Sequence, residues 1–413
     1  MTGAQAPLPR LEKRAAPWLF DSATVSVLEA LQAPGEDHVR FVGGCVRNAL
    51  LGHRVEDLDL ATIHRPETVM TRLEARGLKA VPTGLAHGTV TAVASGRPFE
   101  ITSLRRDVAT DGRRAVVAFT EDWTEDARRR DFTMNALYLS ADGQVHDPLG
   151  GYADLAARRV RFIGDARTRI REDYLRALRF FRIHAWYGTG AFDGDGLAAI
   201  AEEAKGVATL SGERVHREML KVLEADAPGP ALITMEQIGL LSIVLPGGFS
   251  IDRFAALKNA EAALGLKACA VRRLAALVRG DGAALADLWR LSKAHRLRLL
   301  DLLNAAPEED LSEPSARRLV YRVGAERARD RIVWTAMAGA RHLAEAKKAL
   351  EIAATWTAPP FPLTGADAIA AGLTPGPAMG TVLAALEAEW IAADFKPDRE
   401  ALKRRLASLA AAT

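Results

Sequence analysis

Cysteine is almost missing from this chain: Cys45 and Cys269 are the only two in 413 residues. They are far apart and have no His or Cys neighbour at zinc-ligand spacing, which argues against a disulfide framework or a structural zinc and leaves two small buried residues. Long apolar runs are also missing. None reaches the roughly 18 residues that cross a bilayer, and the start "MTGAQAPLPRLEKRAAPW" has no apolar signal core. A cytoplasmic protein with no membrane contact is therefore expected. A strong charge imbalance is lacking too: 55 Lys and Arg oppose 52 Asp and Glu, for a net charge of +3, which permits a nucleic-acid partner without announcing one. The chain shows no fixed-period repeat and no obligatory protein partner is evident.

What is present is unevenly distributed. Arginines cluster in "SLRRDVATDGRR" (103–114), "DARRRDF" (126–132), "ARRVRF" (157–162) and "DARTRIREDYLRALRFFR" (165–182). Interleaved with carboxylates, such runs are either solvated faces or a surface that grips phosphates. Up to about residue 150 helical stretches alternate with short β-rich runs, and beyond it the chain reads as amphipathic helix. This pattern predicts an α+β fold, with a small mixed sheet in an N-terminal head (1–155), a helical neck (156–245) and a helical body and tail (246–413).

Within the head, "DSATVSVLEALQAP" (21–34) predicts a helix capped by Asp21 or Ser22, and "HVRFVGG" (38–44) a strand ending in glycines before a helix. "DLDLAT" (57–62) alternates with period two, so Leu58 and Leu60 face a core while Asp57 and Asp59 share the other face. "HGTVTAVASGRPFEITSLR" (87–105) predicts a hairpin, residues 105–123 a long mobile loop, 128–140 a helix with Asp131 in its first turn, and 167–187 one continuous helix.

Carboxylates at i and i+2 of a strand either face solvent or bind hard cations. Here Gly43 and Gly44 lie just upstream, where missing side chains leave backbone N–H groups open to an oxyanion, and Arg47 follows in the first helical turn. Together they suit a triphosphate bound through Mg²⁺, an ion that takes few protein carboxylates plus substrate phosphates.

In chain order, "GGCVRNALLG", "DLD", "RRDFTMNALYL", "DPLGGYADL" and "IREDYLRALRFFRIHA" resemble the class II tRNA nucleotidyltransferase and bacterial poly(A) polymerase family of the DNA polymerase β superfamily. The resemblance spans residues 38–190, with "GERVHREMLKVLE" (212–224) beyond them. It implies that Asp57 and Asp59 hold catalytic metal, that Gly44 and Arg47 contact the triphosphate, and that Arg130 binds nucleotide. It also implies that Asp131 and Asn135 brace the joint between domains. Glu100 is a candidate third carboxylate. Asn48 departs from the family's "GGxVRD", where Asp is usual, so no charged role is expected there.

"EDYLR" carries the base-selection expectation. Asp173 and Arg176, three apart on a helix, would share one face. Cytosine and adenine each present an amino donor beside a ring-nitrogen acceptor, so an acceptor-only Asp beside a donor-only Arg matches C and A and clashes with G and U. Arg179 and Arg182 continue the stripe. A salt-bridged amphipathic helix is the other reading of these residues. The implied activity is template-independent addition of the 3′-terminal C-C-A to tRNA from CTP and ATP. Poly(A) synthesis, partial C or A addition and a non-catalytic RNA-binding relative are the alternatives, and the intact Asp57 and Asp59 pair speaks against the last.

Overall fold

The computed structural model describes residues 8–111 and 114–411. Two compact units divide the chain, Met1–Val244 and Leu245–Thr413.

The first unit begins with α1 (Ser22–Leu31), capped by Asp21, whose side chain accepts from the Thr24 amide as the sequence indicated. β1 (Val39–Val42) runs into α2 (Gly44–Leu50) through Gly43. The φ of +75° at Gly43 is a conformation that a side chain would strain. β2 (Asp59–Thr62), α3 (Pro66–Ala75), β3 (Lys79–Gly84), β4 (Thr89–Ala94) and β5 (Arg97–Ser103) follow. The β4–β5 turn places Ser95 and Gly96 at φ +49° and +76°, the paired positive values of a two-residue hairpin.

β6 (Arg105–Asp111) and β7 (Arg114–Phe119) form a separate antiparallel ribbon, which corrects the expected loop over 105–123. Asp111-Gly112 between the two runs was the overlooked hairpin signal. Then come α4 (Trp123–Arg128), β8 (Tyr138–Leu139), β9 (Val145–His146) and α5 (Gly151–Ala156). The main sheet has seven strands in the order β3-β4-β5-β2-β1-β8-β9, and β2–β5 is its parallel pair.

No helix continues from residue 128 to 140. The chain instead turns at Asp131, whose buried carboxylate accepts from the Phe132 amide (2.9 Å) and Asn135 Nδ2 (3.1 Å), and a single 3₁₀ turn spans Thr133–Asn135. A buried carboxylate that needs donors overrides the helical pattern here.

The expected helix over 167–187 is likewise two helices, α6 (Ala166–Glu172) and α7 (Leu175–Tyr187). Asp173 between them is extended, at φ −156° and ψ 104°. Tyr174 lies against Gly206 so closely that a Cβ there would sit 2.0 Å from its ring, so tertiary packing sets the break. α8 (Gly194–Glu203), α9 (Gly212–Glu224), α10 (Gly229–Gln237) and α11 (Leu240–Val244) complete the unit. Phe162 stacks on Phe180 at 5.5 Å, with Phe132 and Phe181 alongside, an aromatic core shared by the strand-rich and helical parts.

The second unit is helical, from Ile251–Ala263 to Arg399–Ala410. It buries an ion network of Glu261, Arg272, Arg273 and Asp330, and a separate core around Leu386, Trp390 and Leu402.

Candidate active site

The edge between β1 and α2 brings two guanidinium groups to the glycine turn. A Cβ on Gly43 would lie 3.8 Å from Arg130 Nη1, and one on Gly44 would lie 3.8 Å from Arg47 Nη2. The Gly43 amide is directed into the sheet, donating to the Leu137 carbonyl at 3.4 Å, so it is not open to an oxyanion as the sequence suggested.

Arg47 is buried rather than projecting from the helix (6% exposed). Its Nη1 donates to Asn135 Oδ1 (2.6 Å), Nε and Nη2 donate to Asn48 Oδ1 (3.2 and 3.0 Å), and the guanidinium lies 3.7 Å from the Tyr187 ring centroid. Burial pulls its pKa below the ordinary arginine value. Asn48 thus acquires a reason: its carbonyl orients Arg47 while its Nδ2 donates to the Arg54 carbonyl at 3.1 Å, a bond that a carboxylate could not make.

Asp59 lies opposite Glu100 in the parallel β2–β5 register, and Leu58 and Leu60 are buried as the alternation required. Asp57 precedes the strand and is exposed. Burial, then the charge of Glu100, and more weakly that of Asp57, push the Asp59 carboxyl up to about 6, against the pull of Arg130. No protein donor hydrogen-bonds the carboxylate of Asp57 or Asp59 among the described residues, and the Cys45 thiol meets Asp59 only at its backbone carbonyl. Acidic oxygens crowded together without donors suit a hard divalent cation, which would relieve the repulsion. No three acidic, His or Cys groups converge at ligating distance among the described residues.

Arg130 links this acidic edge to the glycine turn. Its Nη2 and Nε donate to Asp126 Oδ2 at 2.9 and 3.3 Å. Burial alone would raise the Asp126 pKa, but Arg130, Arg129 and the Tyr138 hydroxyl lower it to about 2. The result is a fixed cation against Gly43 whose charge acts on Asp59.

The neck arginines do not stand as an open stripe. Arg176 pairs with Glu172, Arg182 with Glu218, and Arg179 Nη2 lies 2.8 Å from Asp131 Oδ2. Asp173 Oδ1 accepts from the Leu175 amide (3.1 Å) and Oδ2 from Arg214 Nη2 (2.7 Å). Asp173 and Arg176 therefore do not share a helical face, which corrects the geometric basis of the expected pair. Asp126, Glu172, Tyr187 and Arg214 escaped the sequence reading. Asp126 could have been found from its spacing of three and four to Arg129 and Arg130. Tyr187 reaches Arg47 across some 140 residues and left no local signal.

Residues 39–161 match the family described as "Poly A polymerase head domain", and residues 192–251 match "Probable RNA and SrmB- binding site of polymerase A". The chain is 34% identical to the mitochondrial CCA tRNA nucleotidyltransferase 1 of Mus musculus, over 93% of this chain and 89% of that one. It is 28% identical to the CCA-adding enzyme of Levilactobacillus brevis, over 91% and 95%. The fold matches the crystal structure of Bacillus stearothermophilus CCA-adding enzyme in complex with CTP at a TM-score of 0.73 and 27% identity, covering 94% of this chain and 97% of that one.

Proposed function

This chain belongs to the CCA tRNA nucleotidyltransferase family, and from that premise we propose how its residues divide the work. It adds C, C and A to the 3′ end of tRNA from CTP and ATP without a nucleic-acid template, releasing pyrophosphate. One observation supports the site assignment above others: Arg130 lies against Gly43 while its charge acts on Asp59, tying the acidic edge to the glycine turn.

Asp57 and Asp59 would hold the divalent ion, magnesium in this reading, with Glu100 adding negative field from the neighbouring strand. When bound, the ion supplies Lewis acidity toward the attacking hydroxyl and neutralises phosphate charge. Arg130 and Arg47 flank the triphosphate, and Gly44 lets it approach the backbone where α2 begins. The RNA 3′-hydroxyl then displaces pyrophosphate in line, and fixed cations aimed at the departing charge lower the barrier.

Asp173 and Arg176 serve as the base-reading pair despite their partners. A carboxylate has about four acceptor positions, of which Asp173 uses two, and Arg176 leaves Nε and Nη2 for a ligand. Arg179 and Arg182 support that surface from the same helix.

The test uses purified protein, Mg²⁺ and tRNA transcripts ending before, within and after C-C-A, with nucleotides supplied singly and together. Addition that needs both CTP and ATP and stops at a complete end supports the reading. Long tails from ATP alone would transfer the chain to poly(A) synthesis, an alternative that the polymerase-head description keeps in view. No helix among the described residues is long and apolar enough to cross a membrane. Cytoplasmic activity remains our proposal, and because the animal relatives are named mitochondrial, fractionation with an antibody to the chain checks the compartment.

A further inference from the structure

Trp186, near the end of α7, is 43% exposed, yet it is held in place. Its Nε1–H donates to the Lys221 carbonyl of α9 at 2.6 Å, which spends the polar end of the indole on the protein and leaves a ring face to solvent. An isolated surface tryptophan needs no explanation, but this one has neighbours. Its ring centroid lies 6.5 Å from that of Tyr187, and Tyr187 has His53 at 5.8 Å and the Arg47 guanidinium at 3.7 Å. The aromatic run thus reaches from the surface to the residue under the glycine turn.

Cations accompany it. Arg217 and Lys221 are four apart on α9 and share a face, both are exposed, and neither has an ion-pair partner among the described residues. Elsewhere along α7 and α9 the opposite holds, because Asp173–Arg214 and Arg182–Glu218 are closed pairs. Beside His53, Arg54 is 87% exposed on its side chain and only loosely approached by Glu56, at 3.5 Å.

A rigid aromatic face among unpaired cations is how proteins hold single-stranded nucleic acid: every base has a π-face, and the cations follow the backbone. We propose that Trp186 is a stacking platform for an unpaired base of the RNA strand, and that Lys221 and Arg217 hold its flanking phosphates. The incoming nucleotide is not the ligand, because its base belongs at Asp173 and Arg176, about 15 Å away at the other end of α7. This inference rests on the reading of the chain as a tRNA 3′-end enzyme.

The experiment uses the full chain and tRNA transcripts that carry 2-aminopurine in turn at each unpaired 3′ position. The wild type should quench the fluorophore at one of them on saturation. Trp186→Ala should lose that quench and weaken RNA binding roughly tenfold, and Trp186→Phe should keep most of both. Arg217→Glu with Lys221→Glu should weaken RNA binding by a similar factor and make it less dependent on salt. CTP affinity measured without RNA, and melting temperature, report whether the variants remain folded around an intact nucleotide site. Unchanged quenching by Trp186→Ala at every position would overturn the proposal. So would an equal loss of affinity for a blunt duplex without unpaired bases, or a change in self-association in place of RNA affinity. Failure of the wild type to add C-C-A to a tRNA that it still quenches would sink the enzymatic reading alone.

Discussion

Arg214 Nη2 lies 2.7 Å from Asp173 Oδ2, so a residue of α9 fixes the carboxylate that would read the incoming base. Both side chains are mostly shielded, at 27% and 21% exposed. Asp173→Ala should raise incorporation of GTP or UTP relative to CTP and ATP by about tenfold or more, since one lost buried hydrogen-bond partner costs about 1–3 kcal/mol. Arg214→Ala should move selectivity the same way by a smaller factor. Single-nucleotide extension with each triphosphate measures both, and unaltered exclusion of G and U by Asp173→Ala would remove this residue from base selection.

Asp57→Ala and Asp59→Ala should each lower kcat by about a thousandfold or more, because a metal-centred charge interaction contributes several kcal/mol to the transition state. tRNA affinity should change little in either. Glu100→Gln should lose less, since its carboxylate acts on Asp59 from the neighbouring strand. Steady-state kinetics alongside filter binding separate the two effects.

Arg179→Ala tests the joint between the sheet-bearing and helical parts of the first unit. Burial pushes the Asp131 carboxyl up, but Arg179, with the Asn135 and Phe132 hydrogen bonds, outweighs it and holds the pKa below the ordinary value. Without Arg179 the buried charge is left to two neutral donors and the field of Arg182, and stability should fall by about 3 kcal/mol. Asp131→Asn should recover part of that loss in the double variant, as denaturant melts would show.

His184 gives the chain a pH dependence of its own. Burial alone lowers its pKa to about 4, and its ring stacks on Phe192 with centroids 3.7 Å apart. The unfolded imidazole takes a proton near pH 6.5 and the folded one does not. Its stabilising share is therefore whole above about pH 6.5 and disappears as pH falls through about 4, a span on the order of 3 kcal/mol. His184→Leu should flatten the fall in melting temperature between pH 7 and pH 4. An unchanged slope would assign the acid sensitivity to other groups.

Much of the site was legible because its signals are local. Gly43, Gly44 and Arg47 fall within five residues and announce a strand–turn–helix, and the period of two in "DLDLAT" put Leu58 and Leu60 inside. Local rules failed where a buried charge or a distant ring set the backbone. Asp131 bends a segment that reads as helix, and the contact of Tyr174 with Gly206 breaks the helix at Asp173. The β6–β7 ribbon left little signal, because few of its positions form a periodic apolar pattern and an Asp-Gly break divides them.

The sequence by itself determined the helical and strand periodicities, the glycine turn and the acidic pair, since each depends on spacing within one or two turns of chain. Only the tertiary structure decided the distant partners: Arg47 with Asn135, Asp173 with Arg214, Arg179 with Asp131. Several guanidinium groups here have more than one carboxylate to choose from, and spacing along the chain does not rank them. Burial does, because a carboxylate such as Asp126 or Asp131 that loses water must take the cation that packing brings within reach.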